Sequence, residues 1–161
     1  MERIESFAPV VSQRAKVLIL GTMPSAQSLR EQFYYAHPRN AFWPILSAIY
    51  GMQATDIATK RQLIERCGLA LWDVAQSCER QGSLDSAMRA VRPNDIALLA
   101  RQYPIEKILL NGQAAGRLFH RYFPQLAKEK TCLVLPSTSP AYTLPFEQKL
   151  FAWRDALCPH L

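Results

Sequence analysis

Four short apolar runs set the terms on which this chain can fold: KVLIL (Lys16 to Leu20), LALWDV (Leu69 to Val74), EKILL (Glu106 to Leu110) and TCLVL (Thr131 to Leu135). Each is near-continuous in apolar residues, the pattern of a strand covered on both faces. The segments between them space apolar residues three or four apart, the period of a helix with one buried stripe. On this basis Ala41 to Tyr50, Ile57 to Arg66, Asn94 to Tyr103, Gly112 to Tyr122 and Phe146 to Leu157 are expected helices, and a shorter one begins near AQSLRE. Strand and helix in alternation predict an α/β fold, a parallel sheet with helices on both faces. No repeat or linker divides the chain, so residues 1–161 are expected to form one domain.

Several function classes drop out early. No apolar run approaches the roughly 20 residues of a membrane span. The start MERIESFAPVV carries acids where a signal peptide carries a basic region, so a cytoplasmic protein is expected. Cys67, Cys78, Cys132 and Cys158 stand far apart without a C-x-x-C, which speaks against a zinc ribbon and for buried thiols. Nothing such as a heptad points to an oligomer, and a monomer is the default. Lys and Arg outnumber Asp and Glu by 19 to 13, a net charge of +6 that favours a polyanionic partner without proving one.

In an open parallel sheet the working crevice lies beyond the carboxyl ends of the strands. Four loops fall there: GTMPS, DVAQS, NGQAA and PSTSPAY. The first, Gly21-Thr22-Met23-Pro24-Ser25, lacks the glycines and the Lys-Ser/Thr ending of a P-loop. Its glycine permits close approach of a ligand to the backbone, and Ser25 suits the cap of the helix that follows. The last, Pro136 to Tyr142, is stiffened by two prolines and carries Ser137, Thr138 and Ser139, hydroxyls expected to face outward and suited to phosphate oxygens. Asp73 and Asn111 end the second and third strands and point toward the same crevice, although either residue type also serves as a plain turn or cap. Asp85 and Asp95 have the context of ordinary helix starts.

The stretch YYAHPRNAFW, Tyr34 to Trp43, is the densest in chemistry. Asn40 precedes a helical run and has the position of an N-cap, but Pro44 would then fall where an N–H should bond the Asn40 carbonyl. A helix that starts at Trp43 or Pro44 suits the proline better and leaves the Asn40 carboxamide free, with donors and an acceptor for a nucleobase edge or a water. His37 suits a general base, a DNA contact or a loop hydrogen bond. No H-E-x-x-H, Cys–His or Ser–His–Asp pattern is present, so any catalysis is expected to work by positioning and electrostatics.

Taken in order, LGTMPS, YYAHPRNAFW, ALWDVAQSCERQGSLDSAM and LPSTSP resemble the uracil-DNA glycosylase superfamily, and most of all its hypoxanthine-DNA glycosylase branch. The resemblance spans nearly the whole chain. It implies a three-layer α/β/α sandwich around a central four-stranded parallel sheet. It also implies a monofunctional DNA glycosylase that flips a deaminated base out of DNA and hydrolyses its N-glycosidic bond, with neither metal nor organic cofactor.

Mapped onto this chain, the resemblance makes Asn40 the catalytic asparagine and Tyr35 the ring that stacks on the flipped base. Thr22, Met23, Asp73 and Asn111 would complete the base pocket, with Asp73 reading the base or its ring N–H. Ser25, His37, Arg39, Ser137, Thr138 and Ser139 would contact the DNA. One departure stands out: mismatch-type relatives carry Gly-Ile-Asn-Pro in the first motif, and here Met23 takes the place of their water-orienting Asn. The reaction implied passes through an oxocarbenium-like sugar without the two flanking carboxylates of glycoside hydrolases. Uracil or a broader range of deaminated bases is the alternative substrate, and a non-catalytic DNA- or nucleotide-binding module is the alternative of another class.

Overall fold

The computed structural model describes residues 2–158. In chain order its elements are β1 (Arg3–Glu5), β2 (Val17–Gly21), α1 (Ala26–Glu31), α2 (Phe42–Tyr50), α3 (Ile57–Arg66), β3 (Leu69–Asp73), β4 (Ala75–Glu79), a single 3-10 turn (Asp85–Ala87), β5 (Arg89–Pro93), α4 (Ile96–Gln102), β6 (Lys107–Asn111), α5 (Gln113–Tyr122), α6 (Pro124–Glu129), β7 (Thr131–Leu135) and α7 (Phe146–Leu157).

Four strands form one parallel sheet in the order β3-β2-β6-β7, flanked by helices, which is the three-layer α/β/α arrangement expected from the sequence. The near-continuous apolar runs are explained by two cores. Ile19, Leu71 and Leu109 pack under Phe42, Leu46, Leu63 and Trp153 of α2, α3 and α7. Leu18, Leu20, Ile108 and Leu110 pack on the opposite face under Leu99, Ala115, Phe119 and Leu126 of α4, α5 and α6. β2, β3 and β6 therefore spend both faces of their pleats on burial, and the alternation of an exposed strand is lost. The edge strand β7 departs from the expectation for TCLVL, leaving Leu133 and Val134 exposed. Gly21 stands in register with Asp73, and Asn111 with Leu135, so the strands end level and send their loops to one rim.

Two features depart from the sequence expectation. A second, antiparallel sheet, β1-β4-β5, grows from the end of β3, with only Val74 between Asp73 and β4. Asn94, expected to begin a helix, instead donates through Nδ2 to the carbonyls of Asp73 at 2.8 Å and Ala75 at 3.3 Å, bracing that junction. Second, α2 begins at Phe42, not at Trp43 or Pro44. Ala41 is its N-cap, so Pro44 is the third helical residue and the first intrahelical N–H bond belongs to Ile45, which donates to the Ala41 carbonyl at 2.9 Å. A missing N–H at that third position costs nothing, because the helix has no acceptor for it.

Candidate active site

The loops beyond the parallel strands enclose a cavity of about 110 Å³. It brings together Thr22, Met23, Ser25, Tyr35, Asn40, Asp73, Asn111, Ser137, Thr138 and Ser139. His37 and Arg39 are not among its lining residues; they lie beside it in the loop ahead of α2, where His37 Nδ1 accepts from the Arg39 amide at 3.1 Å. Ser83 and Asp85, which the sequence argument left aside, do line it.

The floor is built around Gly21. A Cβ there would stand 2.7 Å from Asp73 Oδ1 and 3.2 Å from the Tyr35 hydroxyl, so only glycine lets both groups close over the end of β2. Asp73 is 3% exposed, and its Oδ2 has no hydrogen-bond partner. Burial, joined by the negative charge of Asp85 and opposed by Arg80, pushes its pKa up to about 7. Below neutral pH the side chain is thus held largely as a carboxylic acid, an O–H donor beside a C=O acceptor. The Tyr35 hydroxyl is likewise buried without a partner, and burial together with Asp73 keeps it protonated well above the ordinary phenol range.

Tyr35 sits in the left-handed backbone region at φ +53°, a conformation that costs a non-glycine residue energy and clusters at functional sites. One face of its ring stacks on Phe42, with centroids 4.1 Å apart and planes 28° apart, while the residue lines the cavity. Tyr34 also lines the cavity, but it is 3% exposed and its hydroxyl donates to the Ala8 carbonyl at 2.8 Å, which anchors it in the core. Trp43 and Phe42 join it there.

Asn40 requires a correction. Its carboxamide is not wholly free, because Oδ1 accepts from the Phe42 amide at 2.9 Å. With Ala41 as the N-cap, Asn40 steadies the first helical N–H from one residue farther out. Among the described residues no partner engages Nδ2, so the side chain is fixed in orientation and presents a donor rather than a donor and an acceptor.

The far wall corrects the outward-facing hydroxyls. Thr138 is 1% exposed and turned inward: its amide donates to Asn111 Oδ1 and its hydroxyl accepts from Asn111 Nδ2, both at 3.0 Å. Its carbonyl also accepts from the Ala41 amide at 3.0 Å, which ties the final loop to the start of α2. Asn111 is thereby a brace for Thr138, with its oxygen already engaged. Ser137 and Ser139 are partly exposed, their hydroxyls folded back onto the amides of Ser139 and Ala141. From α7, buried Lys149 donates to the carbonyls of Ser139 and Tyr142, and Trp153 Nε1 to that of Pro136. Neither tie was foreseen from the sequence, since both partners lie on the helix after the loop.

On the near wall Ser25 caps α1, accepting from the Ser28 amide at 3.1 Å. Thr22 is buried, and its hydroxyl donates to Asp85 Oδ1 at 2.6 Å. Met23 packs on Ala75 and Cys78 and supplies a thioether, a weak acceptor, where mismatch-type relatives have their asparagine. Asp85, set aside on sequence grounds as an ordinary helix start, lines the cavity. It does open the 3-10 turn Asp85–Ala87, and the chain path from β4 to β5 carries its carboxyl to Thr22. Among the described residues no three His, Cys, Asp or Glu side chains gather as a metal site.

A cavity at the carboxyl ends of a four-stranded parallel sheet, lined by the first-strand loop, the YYAHPRNAFW segment and the last-strand serines, is the arrangement expected of the resembled superfamily. A family model of the uracil DNA glycosylase superfamily matches residues 8–157. The chain belongs to this superfamily. It is accordingly a DNA glycosylase, a hydrolase of N-glycosyl bonds. The chain is similar to a curated hypoxanthine DNA glycosylase of Methanosarcina barkeri, at 30% identity over 94% of this chain and 96% of that one. It is 34% identical to another so named from Methanosarcina acetivorans, over 84% of this chain and 85% of that one. A solution NMR structure from Methanosarcina acetivorans, provisionally named a uracil DNA glycosylase, superposes with a TM-score of 0.80 at 29% identity, covering 97% of this chain and 99% of that one.

Proposed function

We propose that this superfamily member is a monofunctional glycosylase for deaminated bases, with hypoxanthine first among them. It takes the damaged nucleotide out of the DNA, hydrolyses its N-glycosidic bond and leaves an abasic site. The observation that carries the reading is the unpartnered Asp73 carboxyl in a cavity shared with the Tyr35 ring and the Asn40 amide. A deaminated base carries a ring N–H beside a carbonyl. The neutral carboxyl is its complement, accepting from the N–H and donating to the carbonyl oxygen.

Each remaining residue has a part consistent with its contacts. Tyr35, backed by Phe42, offers one ring face to the flipped base. Asn40 Nδ2 donates to the base as negative charge gathers on it, a preorganised dipole worth about 3 kcal/mol of barrier on the scale of one oxyanion-hole donor. The braced loop Ser137 to Ser139, with Ser25, His37 and Arg39, holds the flanking phosphates, aided by the net charge of +6. Thr22, Met23 and Asn111 shape the pocket, and the protein acts as a monomer. The names of the two curated relatives support placing hypoxanthine first. Uracil is the second substrate, because it shares the same N–H and carbonyl edge.

The test uses end-labelled duplexes with one deoxyinosine or one deoxyuridine, incubated with the protein and then treated with alkali. Scission at deoxyinosine, weaker at deoxyuridine, is expected. Binding to both duplexes with scission at neither would make the protein a binding module and overturn the reading.

A further inference from the structure

We infer that Asp85 is a catalytic residue of this site, the carboxylate that orients the attacking water and takes its proton. The inference rests on the glycosylase reading above. Two carboxylates line the cavity, and their surroundings are opposite. Asp73 is buried at the floor, with one oxygen left unpartnered. Asp85 lies at the rim, exposed, with one oxygen pinned by the Thr22 hydroxyl at 2.6 Å and the other left to solvent. The exposed carboxyl is the one placed where water enters.

The rim is built, not incidental. Three hydrogen bonds stitch the segment after β4 to the loop after β2: Arg80 Nη2 to the Pro24 carbonyl at 2.5 Å, the Ala26 amide to Ser83 Oγ at 2.8 Å, and Thr22 to Asp85. Next to Thr22 the chain carries Met23, a poor partner for water, whereas the Asp85 carboxyl held on the Thr22 hydroxyl in the same cavity is a strong acceptor. The titratable groups that the Asp85 charge acts on are Asp73 from β3 and Cys78 from β4, and Arg80 just after β4 acts on the same two in the opposite sense.

In the step, the water oxygen forms its bond to C1′ of the sugar as the C1′–N bond breaks, and that electron pair leaves with the base. One water proton passes to the Asp85 carboxylate and on to solvent, the other remains on the new sugar hydroxyl, and the departing base takes a proton from solvent. The same carboxylate faces positive charge that develops on the sugar.

The test is single-turnover base release from a deoxyinosine duplex between pH 4.5 and 8, with affinity measured by fluorescence anisotropy. Asp85→Asn retains an acceptor for Thr22 but no base. It should slow release by about 10²–10⁴-fold with affinity within about threefold. Asp85→Ala should regain part of the rate in sodium formate, which a merely structural role would not produce. Asp85→Asn within threefold of wild type, or Asp85→Ala without rescue by formate, would overturn the inference and leave the glycosylase reading standing. A wild-type protein that releases no base would sink both.

Discussion

Asp73→Asn should remove most of the pH dependence of folding stability between pH 4 and 8. In the folded chain the Asp73 carboxyl titrates at about 7 against an ordinary value of 3.8, a displacement caused first by burial and then by Asp85. At roughly 1.4 kcal/mol for each pH unit, the folded state prefers the protonated side chain by about 4 kcal/mol. The sign follows from the raised value. This contribution is fully present below the ordinary carboxylate range and is lost as pH rises toward 7, where the folded chain must bury a charge. Asparagine has nearly the same shape and never ionises, so the variant should escape the loss. Urea unfolding followed by tryptophan fluorescence at pH 4, 5, 6, 7 and 8 measures it. Relative to the variant, the wild type should lose about 3–4 kcal/mol across the series. Parallel pH dependence in the two proteins would show that Asp73 ionises freely in the folded state and would refute the neutral-carboxyl account.

Gly21→Ala should impair both stability and base release, because its Cβ would stand 2.7 Å from Asp73 Oδ1 and the short aspartate must move; about 1–3 kcal/mol of destabilisation is expected in the same urea assay. Tyr35→Ala should cost about 1–3 kcal/mol in engagement of the flipped base. Unchanged single-turnover kinetics would pass the stacking role to Phe42. Tyr34→Phe removes only the bond to the Ala8 carbonyl and should cost about 1 kcal/mol of stability with release unchanged; lost release would place Tyr34 in the site.

The parallel sheet was legible because LILG, LALW and ILL are apolar on both pleat faces, and only helices on both sides satisfy that pattern. The antiparallel sheet was not. Its strands are RIE, AQSCE and RAVRP, short and polar, and only AQSCE is mostly buried, so their pairing rests on backbone bonds rather than a readable apolar stripe. Asp85 was lost with it, since the turn between β4 and β5 alone brings it to Thr22. Asn40 was found but misdescribed: Pro44 was taken to exclude a helix start before Trp43, whereas the third helical position tolerates proline. Thr138 likewise faces Asn111 instead of solvent, a pairing across 27 residues that no local pattern encodes.

The proposed glycosylase function gives Asn40 a chemical part in this cavity beyond steadying α2. Free hypoxanthine released from a deoxyinosine duplex, quantified by mass spectrometry under single-turnover conditions, tests it with wild type beside Asn40→Ala. The account predicts complete release by the wild type and release slowed by about 10²–10³-fold in the variant, with duplex affinity changed only modestly. A variant that releases the base at the wild-type rate would contradict it.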